Sequence, residues 1–124
     1  MTRILFICHD NICRSPMAEF VMKDLVRKAG LERQFHIESA ATSTEEIGNP
    51  VYPPAHRKLA EHGIDCTGKT ARQLRNSDCD QFDLLIGMDK ANLPDMWWRL
   101  RWQAESSDGL HGPPPRCGSP LVHW

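Results

Sequence analysis

From Ile4 to Cys8 the apolar positions run almost without a break, with no polar alternation. A short continuous run of this kind predicts a strand buried on both faces, over Arg3 to Cys8. The spacing then becomes helical. Ala18, Val21, Met22, Leu25 and Val26 predict an apolar stripe, with Ser15 as N-cap, Pro16 and Glu19 in the first turn and Gly30 as C-cap. Phe35 to Ser39 predicts a second strand. The polar stretch ATSTEEIGNPVYPP predicts a loop whose three prolines end regular structure. AHRKLAEHGI predicts a second helix closed by Gly63, FDLLIGMD a third strand, and Lys90 to Met96 the first turns of another helix.

Strands alternating with helices predict an α/β fold, a parallel sheet with helices on both faces. In such folds the functional loops lie beyond the carboxyl ends of the strands. The segment Cys8 to Ser15 occupies such an end, directly before a helix.

The pattern breaks at Trp97. Residues 97–124 hold all four tryptophans and the run Pro113-Pro114-Pro115, which forbids helix and central strand alike. The expected division is a domain over 1–96 and an aberrant, poorly ordered tail over 97–124.

Bulk properties narrow the partners. At 124 residues the chain is one small domain, large enough for a core without staples. A net charge of -1 gives no reason to expect nucleic acid or an acidic membrane as partner. No apolar run is long enough for a membrane span or a secretory leader, so the cytoplasm is the expected location. Five cysteines, an odd number without paired spacings, are expected to be thiols. A zinc site on Cys8, His9 and Cys13 lacks a second ligand pair, so no metal or other cofactor is expected.

The loop Cys8-His9-Asp10-Asn11-Ile12-Cys13-Arg14-Ser15 has the parts that phosphoryl transfer needs. Cys8 can be the nucleophile, because backbone N–H groups, a helix N-terminus and Arg14 all favour a thiolate. Arg14 offers a planar fork for two phosphate oxygens. Ser15 can donate its hydroxyl to the Cys8 sulfur while capping the helix, and Asn11 tolerates the left-handed backbone of a tight anion nest. Alone, Cys8 would read as a small core residue and Arg14 as a solvated charge. Together, between a strand and a helix, they favour the functional reading.

The stretch CHDNICRSPMAE resembles the active-site signature of the low molecular weight protein-tyrosine phosphatases, and the similarity continues through ESAATS, EHGID, KTARQL and FDLLIGMDKANL. The resemblance implies a phosphotyrosine phosphatase I-like fold and hydrolysis of phosphotyrosine, in proteins or small aryl phosphates, through a phosphocysteine on Cys8 clamped by Arg14. It also implies that Asn11, Ser15 and Ser39 support the loop. Cys13 resembles a second cysteine that forms a reversible disulfide with the nucleophile, with a merely packed thiol as the other reading. The family's substrate-recognition loop falls around Thr42 to Gly48. Here Glu45 and Glu46 read as a solvated loop, and Tyr52, which can pack or contact substrate, is expected to pack.

Two departures bear on activity. Asp10 stands where the family pattern has glycine, and its charge beside a dianion is expected to weaken phosphate binding. The family's general acid, an aspartate in an Asp-Pro-aromatic motif, has no identifiable counterpart: no Asp-Pro occurs, and Asp89 and Asp95 lie too early. Shifting the reading frame by one base lets Gly109 to Arg116 spell Asp-Tyr-Thr-Asp-Arg-Pro-x, then Asp, and lets Cys117 to His123 spell Val-Ala-x-Pro-Trp-Tyr. This resembles the family's text around its acid loop, although the codon spanning Ser119 and Pro120 cannot encode the acid. The reading is a frame slip near Met96 to Trp98. Loss of the C-terminal strand and helix is expected to expose the strand Phe82 to Met88 as an apolar edge and to impair the chain. The alternatives are a non-catalytic phosphate or phosphopeptide binder, and an arsenate reductase-like enzyme, for which Cys66 and Cys79 lack an evident relay.

Overall fold

The computed structural model describes residues 1–96, 100 and 121–123, the last three by their backbone only. Four parallel strands form one sheet in the order β2-β1-β3-β4: β1 is Thr2–Cys8, β2 Phe35–Ala41, β3 Leu84–Gly87 and β4 Leu121–His123. Since β1 lies between β2 and β3, the strand order reverses there. A cleft opens beyond strand ends at such a switch point.

The unbroken apolar run of β1 is explained by its two buried faces. Leu5 and Ile7 point into a core with Ala40, Leu74, Phe82, Leu85, Met96 and Leu100. Ile4 and Phe6 point the other way, onto Ile37 and onto Val26, Ala18 and Met22 of helix α1 (Arg14–Lys28). Helix α2 (Pro53–Glu61) packs beside α1 through Ala55 and Leu59, joined by Val51 before it and Cys66 after it, in a cluster with Met17 and Phe20. The short helix α3 (Asp78–Gln81), not foreseen from the sequence, places Cys79 in the first core. Residues 92–96 are helical, as expected.

Gly30 ends α1 as predicted. With φ at +74°, it lets Leu31 N–H reach Val26 O at 2.8 Å while its own N–H bonds Arg27 O at 3.0 Å, the paired Schellman closure. The other end of α1 differs from expectation. The N-cap is Cys13, without a side-chain cap bond, and the first turn carries no acidic residue. Ser15 lies inside the helix, its hydroxyl spent elsewhere. Val21 and Leu25 of the predicted stripe are exposed, so the buried face is narrower than the spacing implied. Pro53 and Pro54 begin α2 rather than ending the loop, because the first helical turn needs no N–H donors there.

The largest correction concerns the C-terminus. β4 pairs with β3 in parallel, Leu85 with Leu121, Ile86 with Val122 and Gly87 with His123. β3 is therefore an inner strand and not an exposed edge, and the fourth sheet position is filled. Three residues are too few for a periodic signal, so only pairing on the sheet reveals them. The expected loss of a C-terminal helix, and the rest of the expected disordered tail, lie outside the described residues. Among the described residues no helix is long and apolar enough to cross a membrane. Cys8, Cys13 and Cys66 are free thiols as expected, whereas Cys79 is disulfide-bonded.

Candidate active site

β1 ends at Cys8, and the next five residues wrap back to the start of α1. The loop carbonyls are tied outward. Cys8 O accepts from Thr42 N–H (3.0 Å), His9 O from Ser43 N–H (3.0 Å) and Ile12 O from Tyr52 N–H (2.7 Å). At Asn11 the backbone turns left-handed, φ +57°, the one such non-glycine among the described residues. This turn brings the Asn11 N–H to 3.2 Å from Cys8 Sγ. Asparagine suits the position because its short amide tolerates this region and bonds locally.

The Asn11 side chain, almost wholly buried, uses both ends. Its Nδ2 donates to Ser15 Oγ at 2.8 Å, and its Oδ1 accepts from Arg72 N–H at 3.2 Å. Ser15 Oγ in turn lies 3.0 Å from Cys8 Sγ. Because Ser15 Oγ accepts the amide proton, its own hydroxyl hydrogen can turn to the sulfur and stabilise a thiolate. Cys8, Asn11 and Ser15 thus meet as expected, and the bond that fixes Asn11 comes from the segment Lys69 to Leu74.

That segment braces the β2 end as well. Ala41 N–H bonds Arg72 O and Leu74 N–H bonds Ala41 O, each at 2.7 Å. Arg72 forms a two-toothed pair with buried Asp78, Nη1 to Oδ2 at 3.1 Å and Nη2 to Oδ1 at 3.2 Å. A planar guanidinium held at two points fixes the backbone N–H that holds Asn11.

Arg14 stands at the rim of the cleft, its Nη2 2.7 Å from Asp89 Oδ2. Asp89 follows β3, so the pair bridges the switch point. The Arg14 guanidinium holds the Asp89 carboxyl below its ordinary range, helped by the backbone N–H groups of Ala91 and Asn92. Asn92 Oδ1 accepts the Asp89 N–H at 3.0 Å and the Asn92 N–H donates to Asp89 O at 3.1 Å, whereas no N–H of the described residues reaches Asp89 Oδ1 in full hydrogen-bond geometry. A carboxyl held ionised in this way is a poor proton donor, so Asp89 is not suited to act as a general acid. The pattern D-x-x-N after an apolar strand was the available sequence signal for this turn.

Ser39 is buried on β2, and its hydroxyl donates to Glu19 Oε1 at 2.5 Å rather than to the loop. Glu19, expected in the first turn of the helix, is buried and flanked by Lys23 Nζ at 2.6 Å and Lys69 Nζ at 3.3 Å. Burial pushes the Lys69 ammonium below its ordinary value, and Glu19 partly opposes that shift. Two ammonium groups accompany one buried carboxylate, as burial of a charge requires.

Cys8, His9, Asp10, Ile12, Cys13, Arg14 and Tyr52 line a cleft of about 280 Å³. Cys13 also packs against the α2 cluster of Val51, Ala55, Leu59 and Cys66. Tyr52 is half exposed at the cleft wall rather than packed away. Asp10 has no left-handed backbone, so its cost in the loop is one of charge and not of strain. Its Oδ1 accepts from Ser43 Oγ at 3.2 Å. The arrangement provides a polarised sulfur at the base of a cleft, a helix N-terminus behind it and a guanidinium at its rim, which together suit a phosphate monoester.

A sequence model described as low molecular weight phosphotyrosine protein phosphatase matches residues 3–102. The low molecular weight protein-tyrosine-phosphatase YfkJ of Bacillus subtilis is 43% identical over 93 residues, 75% of this chain and 60% of that protein. The human low molecular weight phosphotyrosine protein phosphatase is 41% identical over 93 residues, 75% of this chain and 58% of that protein. The crystal structure of Bacillus subtilis YfkJ superposes with a TM-score of 0.79 at 36% identity, covering 99% of this chain and 69% of that one. That of Primo-1 gives 0.81 at 34% identity, with 99% and 71% covered. The chain therefore spans about three-fifths of the curated relatives' length.

Proposed function

Since the chain belongs to the low molecular weight phosphotyrosine protein phosphatase family, we propose that it binds phosphate monoesters in the Cys8–Ser15 loop and hydrolyses phosphotyrosine there. Cys8 Sγ attacks phosphorus in line with the departing phenolate, giving a phosphocysteine that water then hydrolyses. Arg14 and the loop N–H groups bind the three non-bridging oxygens and offset the charge they carry. The observation that carries this reading is the contact of Cys8 Sγ with both the Asn11 N–H and Ser15 Oγ, at 3.2 and 3.0 Å. Substrates are aryl phosphates or phosphotyrosine proteins, met in the cytoplasm, with Tyr52 at the cleft wall placed to stack on the aryl ring.

Activity is impaired relative to a complete site. Asp10 brings a negative charge to the cleft, and among the described residues it is the one carboxylate lining it. Asp89 is committed to Arg14. Without a proton donor among the described residues, rates depend steeply on how well the leaving group departs unaided. The chain is expected to release phosphate from p-nitrophenyl phosphate while barely acting on phenyl phosphate. Cys8→Ser is expected to abolish that release and to keep vanadate or phosphate binding. Turnover unchanged in Cys8→Ser would refute the nucleophile assignment. Phosphate binding without any turnover would favour the phosphopeptide-binding reading, which the committed Asp89 supports.

We also infer that residues 97–124 are written in a shifted frame. The support is the resemblance of the shifted text to the family's acid loop, read from Gly109 to His123, beyond the family match over residues 3–102. Reading the coding DNA across Met96 to Trp124 tests it: codons incompatible with the shifted text would exclude the slip.

A further inference from the structure

We propose that His9, Asp10 and Glu45 form a binding site for a divalent transition-metal ion, zinc by its ligand chemistry, at the rim of the phosphate loop. His9 Nε2 lies 3.6 Å from Asp10 Oδ1 and 3.4 Å from Glu45 Oε2. All three ligand atoms fall within 4.8 Å of one another. A tetrahedral zinc with bonds of about 2.0–2.2 Å has ligand-to-ligand edges of roughly 3.3–3.6 Å. Two of the three edges therefore stand at the required length with no movement, and the third closes by rotation of the exposed Glu45 side chain. One imidazole and two carboxylates are a borderline donor set. They suit zinc better than calcium or magnesium, which take oxygen donors almost alone.

The ligands come from two segments, and Ser43 binds those segments together. Its N–H bonds His9 O at 3.0 Å, its hydroxyl donates to Asp10 Oδ1 at 3.2 Å, and its Oγ accepts the Glu45 N–H at 3.4 Å. Two carboxylates this close repel, and a dication offsets both charges. The side chains are partly exposed, which leaves the fourth position to water and leaves the ion free to enter. The site uses the residue that departs from the family pattern, Asp10, together with a glutamate that the sequence alone placed in a solvated loop. It does not depend on phosphatase activity.

The test is calorimetric titration of the full chain, its Cys79 disulfide left intact, with zinc ion alone. One ion per chain is expected, with binding weakened at least about tenfold in Glu45→Gln and in His9→Ala. Glu45 is exposed, so that variant folds. The thiols Cys8 and Cys13 are the competing ligands. Binding should persist in the Cys8→Ser/Cys13→Ser variant, and cobalt in the same chain should give a spectrum without thiolate charge-transfer bands. Absence of stoichiometric zinc binding would overturn the site. So would Glu45→Gln binding at full strength, binding lost with the thiols, or a thiolate band in the cobalt spectrum.

Discussion

Arg14 and Asp89 meet at 2.7 Å across the point where the strand order reverses, joining the loop after β1 to the end of β3. The pair is half exposed, so its own stabilisation is modest. Asp89→Ala and Asp89→Asn should each lower the urea midpoint only slightly and by similar amounts, because both remove the same half-exposed ion pair and keep the backbone N–H that bonds Asn92. The Asp89 carboxyl is held low by Arg14. Its stabilising effect is thus fully present above the ordinary carboxylate value and is lost as pH falls through the depressed folded value. Acid unfolding curves of the native chain and Asp89→Asn should converge at the acid end, and curves that stay parallel would show that the pair is not linked to folding.

Asn11 is the hub of the loop, and two substitutions separate its roles. Asn11→Ala removes two buried hydrogen bonds and leaves a Cβ at φ +57°. The expected loss is about 2–4 kcal/mol. Asn11→Gly removes the same bonds without the strain and should cost about 1 kcal/mol less. Chemical denaturation of both variants measures the difference. Equal losses would mean that the left-handed turn is not strained in alanine.

The charge of Asp10 can be isolated from its shape. Asp10→Asn keeps the volume and the acceptor for Ser43 Oγ while removing the negative charge from the cleft. At the rim of a partly solvated cleft the repulsion is about 1–2 kcal/mol, so phosphate should bind roughly 5–30 times more tightly in the variant. The effect should shrink with added salt. Unchanged inhibition by phosphate would show that Asp10 faces away from the anion.

Lys69 and Glu19 form a partly hidden pair, with Ser39 on the same carboxylate oxygen as Lys69 and Lys23 on the other. Lys69→Met leaves Glu19 with Lys23 alone, and the loss should be about 1–3 kcal/mol. The pH profile gives a second readout. Burial lowers the Lys69 value in the folded state, so between the folded and unfolded values the unfolded chain binds more protons. Stability of the native chain should therefore rise, relative to Lys69→Met, as pH approaches the ordinary lysine value from below. A flat difference across the alkaline range would remove Lys69 from the linkage.

The sequence by itself determined the local frame. The unbroken run of β1, the helical spacing after Ser15 and the glycines at 30 and 63 are short-range signals, and the elements stand where they point. The strand–loop–helix placement of Cys8 and Arg14 was legible for the same reason, since both belong to one segment. Tertiary structure decided what lies across the sheet. Asn11 is held by Arg72, Ser39 by Glu19, Arg14 by Asp89 and β3 by β4. None of these partners is announced by periodicity, because each joins residues far apart in the chain through one polar contact or one three-residue pairing. The same physics misled at Ser15 and Glu19, whose positions fit helix capping. Ser15 bonds into the loop instead, and Glu19 is buried between Ser39 and two lysines. A buried polar atom takes its partner from whatever packs against it, and only the assembled fold supplies that neighbour.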